Sequence, residues 1–146
     1  MNLLCTHAQT LFALGGADGR VAWRAPIHEQ LFPAVGVGRG LVFFGDSAPG
    51  APDTPTVRAL DAATGEERWA VNARLEARDT VWGPPTVTAD MLLYVAPRNS
   101  GVGGYSAESG AKLWLALDLA DPSPGLPVGA DGRLFVASLR ALTALG

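Results

Sequence analysis

Side chains able to do chemistry are few in this chain of 146 residues, and they are scattered. Cys5 is the single cysteine, which excludes an intrachain disulfide and any thiolate cluster built from one chain. It reads as a small apolar strand residue. The two histidines, His7 and His28, are too few for a zinc site of familiar spacing, and no nucleophile pattern accompanies them. His7 is expected in a turn after a strand and His28 in a solvated loop. Asp46, Asp53, Asp90, Asp118 and Asp121 could each be nominated as base or ligand. None falls in the oxygen-ligand spacing of calcium loops, so surface turn carboxylates are expected. The glycine-rich stretches Gly36-Val37-Gly38-Arg39-Gly40 and Gly101-Val102-Gly103-Gly104 open no helix, which argues against a phosphate loop.

Composition excludes several other classes. With 48% hydrophobic residues, 17% charged and a net charge of −3, the chain suits a globular protein rather than a disordered one. It shows no basic excess that would suit nucleic acid or an anionic membrane surface. No apolar run approaches the roughly 20 residues that span a bilayer. Residues 1–7 lack a basic segment followed by an apolar run, so no signal peptide is visible. A cytoplasmic location is expected if Met1 is the true start, and a periplasmic one if the chain is a piece of an exported protein.

The elements that must position these residues announce themselves by repetition. A thirteen-residue phrase recurs at Leu11 to Trp23, Val57 to Trp69 and Val102 to Trp114. Each copy has a glycine four residues before its tryptophan: Gly19, Gly65 and Gly110. The tryptophans are 46 and then 45 residues apart, a period within the range of propeller blades. A second block precedes each phrase, with Pro33-Ala34-Val35, Pro85-Thr86-Val87 and Pro127-Val128 leading to the apolar runs at 41–44, 93–96 and 134–137. Short apolar, β-branched and aromatic runs broken by Gly or Asp-Gly turns are strand and hairpin signals.

Each full unit therefore has four strands, A to D. In the second they are predicted at 33–37, 41–44, 56–61 and 67–71, with the Pro- and Gly-rich stretch from Asp46 to Pro55 left as an exposed B–C loop. In the third they are predicted at 85–88, 91–96, 103–106 and 112–117. The first unit shows only B to D, at 2–6, 10–14 and 20–25. The last shows only A to C, ending in a Leu142-Thr143-Ala144-Leu145-Gly146 that matches Leu11-Phe12-Ala13-Leu14-Gly15. The pentapeptide Gly16 to Arg20 returns at Gly129 to Arg133 but is assigned to a different hairpin, C–D in one unit and A–B in the other.

The phrase has a physical use. A tryptophan on the outer strand of one sheet offers an apolar face to the next, and its indole N–H needs an acceptor that a neighbouring backbone carbonyl can supply. The glycine four residues earlier permits a positive-φ turn and close approach of a neighbouring ring. Small residues at Ala13, Ala59, Gly104 and Ala144 leave room in the next layer. Such residues join sheets and form no reaction centre.

This pattern resembles the PQQ-like (quinoprotein-type) β-propeller repeat. The tryptophan-docking phrase Ala-x-Asp-x-x-x-Gly-Lys-x-x-Trp is met by Ala59, Asp61, Gly65 and Trp69, with Glu66 in the place of the lysine. The first copy departs at Gly15, and the third at Gly104, Ser106 and Ala111. The resemblance implies an all-β fold: a partial β-propeller of four-stranded antiparallel blades, about three and a half of them. One repeat domain over residues 1–146 is expected, with blades at about 1–27, 31–72, 83–118 and 126–146, as a piece of a longer propeller. In the quinone-dependent dehydrogenases of the family the resemblance would imply adjacent cysteines beside the cofactor, a calcium held by carboxylate and amide groups, and a catalytic Asp. No adjacent cysteines exist here.

The reading is therefore a non-catalytic binding or assembly scaffold without cofactor or metal. Its alternatives are a fragment of a PQQ-dependent dehydrogenase and a sensor domain of a bacterial kinase. A binding face would collect the D–A and B–C connections, where Arg74, Arg78, Trp82 and Arg98 are the candidates for an anionic or peptide ligand. A protein or peptide partner is expected, with self-association through open sheet edges and without nucleic acid.

Overall fold

The computed structural model describes residues 2–7, 9–28, 35–48, 51–72, 85–88, 92–95, 102–116, 128–130, 133–137 and 142–145. Four antiparallel sheets follow one another along the chain, each a meander of sequential strands. The first holds β1 (Asn2–His7), β2 (Thr10–Gly15) and β3 (Val21–Pro26). The second holds β4 (Val35–Gly38), β5 (Leu41–Ala48), β6 (Ala51–Asp61) and β7 (Glu67–Asn72). The third holds β8 (Thr86–Val87), β9 (Leu92–Val95), β10 (Val102–Ser106) and β11 (Lys112–Ala116). In the fourth are β12 (Val128–Ala130), β13 (Arg133–Ala137) and β14 (Leu142–Leu145). This is the partial propeller of antiparallel blades expected from the repeat.

The second sheet is buried on both faces, and its sequence shows why. In β5 the run Val42-Phe43-Phe44 alternates sides, as the twofold period of a strand requires. Val42, Phe44 and Leu60 pack with Leu11, Ala13, Trp23, Ala25 and Ile27 of the first sheet and the segment that follows it. Phe43, Val57 and Ala59 pack instead with Tyr105 and Ala107 of the third. The inner strands β4 and β8 also approach closely. A Cβ at Gly36 would meet the Pro85 carbonyl, and one at Gly38 the Val87 side chain, which gives the glycine-rich stretch a packing role.

The cross-strand register repeats from sheet to sheet: Ala13 faces Trp23, Ala59 faces Trp69 and Gly104 faces Trp114. Immediately after each pair the ladder slips, between Ala13 and Leu14, Ala59 and Leu60, and Gly104 and Tyr105. A bulge bends and twists the strand locally, and here it marks the entry to the β2–β3, β6–β7 and β10–β11 turns. Those turns close with the same two backbone bonds in all three sheets, each 2.8 Å: Gly15 to Arg20 and Gly19 to Gly15, Asp61 to Glu66 and Gly65 to Asp61, Ser106 to Ala111 and Gly110 to Ser106, amide to carbonyl in every case.

Three expectations are corrected. The stretch from Asp46 to Pro55 is not a loop: β5 runs to Ala48 and β6 starts at Ala51, with Asp46 paired to Thr56 and Ser47 to Pro55. A register shift between Ser47 and Ala48 accommodates a segment whose prolines read as strand-breaking, consistent with proline being admitted at bulges. His7 is the last residue of β1, paired with Thr10, rather than a turn residue. Asp46 is buried, and His28 is half-buried against it rather than fully solvated, as described next.

Candidate functional site

Each tryptophan-docking contact is built by two sheets. Trp23 on β3 donates its indole N–H to the carbonyl of Ala62 at 3.0 Å, and Trp69 on β7 does the same to Ala107 at 3.1 Å. A Cβ placed on Gly65 would lie 2.7 Å from the Trp23 ring, and one on Gly110 would lie 2.8 Å from that of Trp69. Both glycines have positive φ, +76° and +73°. Gly therefore serves twice, for the left-handed turn and for the ring lying against it. Ala59 faces Trp69 across the sheet and is fully buried. Phe43 adds a tilted contact to Trp69 at 5.9 Å between ring centroids.

The three equivalent turns, two of them below a dock, are held by side-chain acceptors of different kinds. Asp61 accepts from the amides of Ala63 and Thr64, at 2.9 and 3.1 Å. In the third sheet Ser106 accepts from Ser109, and in the first Asp18 accepts from Arg20. Ser106 thus takes the place of Asp61 as acceptor in the third sheet, while Asp18, Thr64 and Ser109 each accept from the amide two residues on and hold all three turns alike. The amides of Ala63 and Thr64, with a smaller contribution from Arg68 at 3.7 Å, hold the Asp61 carboxyl below its ordinary value of 3.8. A depressed carboxylate stabilises the fold above its unfolded-state value, and that contribution is lost as pH falls through the folded-state value. The wild-type urea midpoint is thus expected to fall below pH 3.8 more steeply than that of Asp61→Asn, with the two curves parallel from pH 5 to 7. Parallel curves throughout would remove Asp61 as a source of acid sensitivity.

One constellation of ionisable groups is buried among the described residues. Asp46 on β5 has 0% exposure and Arg58 on β6 has 8%. The Arg58 guanidinium donates through one terminal nitrogen to Asp46 Oδ2 at 2.7 Å and to the Pro26 carbonyl at 2.8 Å, and through Nε to Glu67 Oε2 at 2.7 Å. Its charged plane lies over the Phe44 ring, 5.3 Å from the centroid. Asp46 Oδ1 accepts from the His28 amide at 2.7 Å, and its Oδ2 lies 3.0 Å from His28 Nδ1. The group spans two sheets, since Pro26 ends β3 and His28 follows it, while Asp46, Arg58 and Glu67 belong to β5, β6 and β7. Sequence reasoning named Asp46 and His28 and set both aside, and it missed Arg58. Their separation of 18 and 12 residues from Asp46 gave no local signal; only the pairing of β5 with β6 and the packing of the first sheet on the second bring them together.

An Asp beside a His can orient a general base, but a reaction needs a substrate-facing nucleophile or electrophile as well. Among the described residues no hydroxyl or thiol hydrogen-bonds to His28, and Arg58 occupies the same carboxylate oxygen as the imidazole. The arrangement is a clasp between sheets. An open cleft at the other end, lined by Arg39, Leu41, Arg68 and Glu108, mixes both signs of charge over a leucine. The expected ligand-face residues Arg74, Arg78, Trp82 and Arg98 lie outside the described residues. No group of three or more His, Cys, Asp or Glu side chains among the described residues is placed to hold a metal ion. Neither the lone cysteine nor the Arg58-paired Asp46 fits a quinone with its calcium.

A family model for outer membrane protein assembly factor BamB matches residues 7–123. No curated protein sequence matches the chain. Among solved structures, BamB from Moraxella catarrhalis is similar over 98% of this chain and 44% of its own, at 19% identity and a TM-score of 0.65. A europium-containing methanol dehydrogenase is similar over 82% of this chain and 23% of its own, at 20% identity and a TM-score of 0.60. The quinohemoprotein alcohol dehydrogenase from Comamonas testosteroni is similar over 83% and 20%, at 22% identity and the same TM-score. The chain thus spans less than half the length of the structures it matches, and these likenesses concern the fold. With the repeat signature seated between sheets as described and the family model covering well over half of the sequence, the chain belongs to the PQQ-like β-propeller repeat family of the outer membrane protein assembly factor BamB.

Proposed function

We propose that the chain is a non-catalytic PQQ-like propeller segment that serves as a binding or assembly scaffold for a protein or peptide partner. The observation that carries this reading is the use of its distinctive residues. Trp23, Trp69, Asp46 and Arg58 all bond between or within sheets, and none is presented to a shared reaction point. The match to an assembly-factor family supports the same reading. So does the charge: a net −3 with no basic surplus favours protein over nucleic acid. Among the described residues no helix is long and apolar enough to cross a membrane.

The test is a titration of the purified chain with PQQ in the presence of calcium or a lanthanide, read by tryptophan fluorescence and by alcohol-dependent dye reduction. A scaffold shows neither saturable quenching nor alcohol-dependent turnover. Stoichiometric binding of the quinone with turnover would replace this reading with the dehydrogenase one.

A further inference from the structure

The two occupied docks are built alike. Trp23 reaches the β6–β7 turn through the Ala62 carbonyl and Gly65, and Trp69 reaches the β10–β11 turn through the Ala107 carbonyl and Gly110. Both turns close with the same backbone bonds and hold their glycines at φ +76° and +73°. The clusters around them are apolar, and apolar burial is non-directional. Neither the indole bond nor the glycine therefore distinguishes the second sheet from the third as a seat for Trp23. When several copies fold together, the third sheet of one is open to the first sheet of another, the characteristic failure of repeat chains.

The Asp46–Arg58 clasp is not built alike. The register that aligns Ala13, Ala59 and Gly104 opposite their tryptophans puts Phe12 and Gly103 at the position of Arg58. In the same register the counterparts of Glu67 are Val21 and Lys112, and the first-sheet counterpart of Asp46 is His7. Among the described residues the set Asp46, Arg58 and Glu67 thus occurs once. What it binds, the Pro26 carbonyl and the His28 amide and ring, stands at the end of the strand that carries Trp23. A first sheet seated on a third sheet would bring the Pro26 carbonyl to Gly103, which has no side chain to donate to it. The second sheet left behind would lose those same partners of Arg58 and Asp46.

We propose that the clasp is a pairing key: the tryptophan docks join any two neighbouring sheets, and the clasp makes the second sheet the seat of the first. A buried ion pair adds little net stability over an apolar pair of the same volume, whereas a buried charge that has lost its partners is costly. Its contribution therefore lies in the penalty on the wrong neighbour. The inference goes beyond the scaffold reading, and the quinone titration leaves it untouched.

Refolding tests it. The whole chain and the double variant Asp46→Leu/Arg58→Met are unfolded in urea and diluted into buffer at concentrations spanning a hundredfold, and light scattering gives the masses recovered. Leu60→Ala is the control: Leu60 is buried in the same interface, so its loss lowers stability there while the clasp keeps all its polar groups. The wild type and Leu60→Ala are expected to recover the mass distribution they had before unfolding. The double variant should form associated species in proportion to concentration, at least twice the wild-type fraction at the highest. If the double variant gives no cooperative urea transition, Asp46→Asn takes its place with the same expectation, since it keeps the shape and an acceptor for the His28 amide. A clasp variant that refolds as cleanly as the wild type, or a Leu60→Ala control that associates as much as the clasp variant, would overturn the proposal.

Discussion

Replacing Arg58 by Met is expected to lower the free energy of unfolding by about 3–5 kcal/mol, because it leaves the carboxylate of Asp46 buried without its cation. Methionine keeps the unbranched stem that lies over Phe44, so the loss reports on charge more than on packing. Four groups feel the change: Asp46 loses a bond of 2.7 Å, the Pro26 carbonyl loses a donor, Glu67 loses its bond to Nε, and the His28 amide and ring stay against a carboxylate that has lost this cation. Urea unfolding, with midpoint and slope fitted separately, gives the measurement. Adding Asp46→Leu to Arg58→Met should recover half or more of the loss, since exchanging both members of a buried pair for apolar groups is often close to neutral. A single-variant loss under about 1 kcal/mol would mean that the network behaves as a solvated surface pair.

Trp23→Ala carries an effect of similar size, about 3–5 kcal/mol, the range for emptying the site of a buried aromatic. The ring is 7% exposed, closes the cluster between the first and second sheets, and donates to Ala62. Trp23→Phe keeps part of the packing and should cost less, with about 1–3 kcal/mol coming from the carbonyl of Ala62 left without its donor. Gly65→Ala separates the two uses of the glycine. Its positive φ alone costs an L-residue about 1–2 kcal/mol. The added Cβ must also push back a ring that lies 2.7 Å from it. In the Trp23→Ala background only the backbone part should remain, giving a coupling of about 0.5–3 kcal/mol in a double-mutant cycle. Strict additivity of the two changes would show that the ring does not rest on Gly65.

The repeat phrase made the docking legible before any coordinates. Ala59, Asp61, Gly65 and Trp69 are local: a turn, a small residue and a large ring whose spacing is set by one hairpin, so a period in the sequence becomes a period in space. The strands followed from the same rule, and the element order of the four sheets was readable from it. Turn chemistry was only half readable. Asp61 and Ser106 accept from one position of the turn, which is Gly15 in the first sheet, and the bulge after each Ala–Trp or Gly–Trp pair left no mark in composition.

What the sequence by itself determined is the architecture: antiparallel four-stranded units, tryptophan on the outer strand and glycine beneath the next ring, because these depend on residues within one hairpin and on the period that stacks them. The two hairpins of the repeated pentapeptide were already assigned from the sequence: Gly16 to Arg20 makes a β2–β3 turn, and its twin carries the β12–β13 pair Ala130 opposite Arg133. Identical local chemistry accepts either setting, and the flanking strands choose. Only the tertiary structure decided where the charges go, Asp46 above all. A Pro- and Gly-rich flank suggests a solvated turn, but the extended β5–β6 ladder draws Asp46 inward, next to Arg58 twelve residues on and His28 eighteen residues back. Burial of a carboxylate is a property of what packs around it, and no window of sequence contains those neighbours.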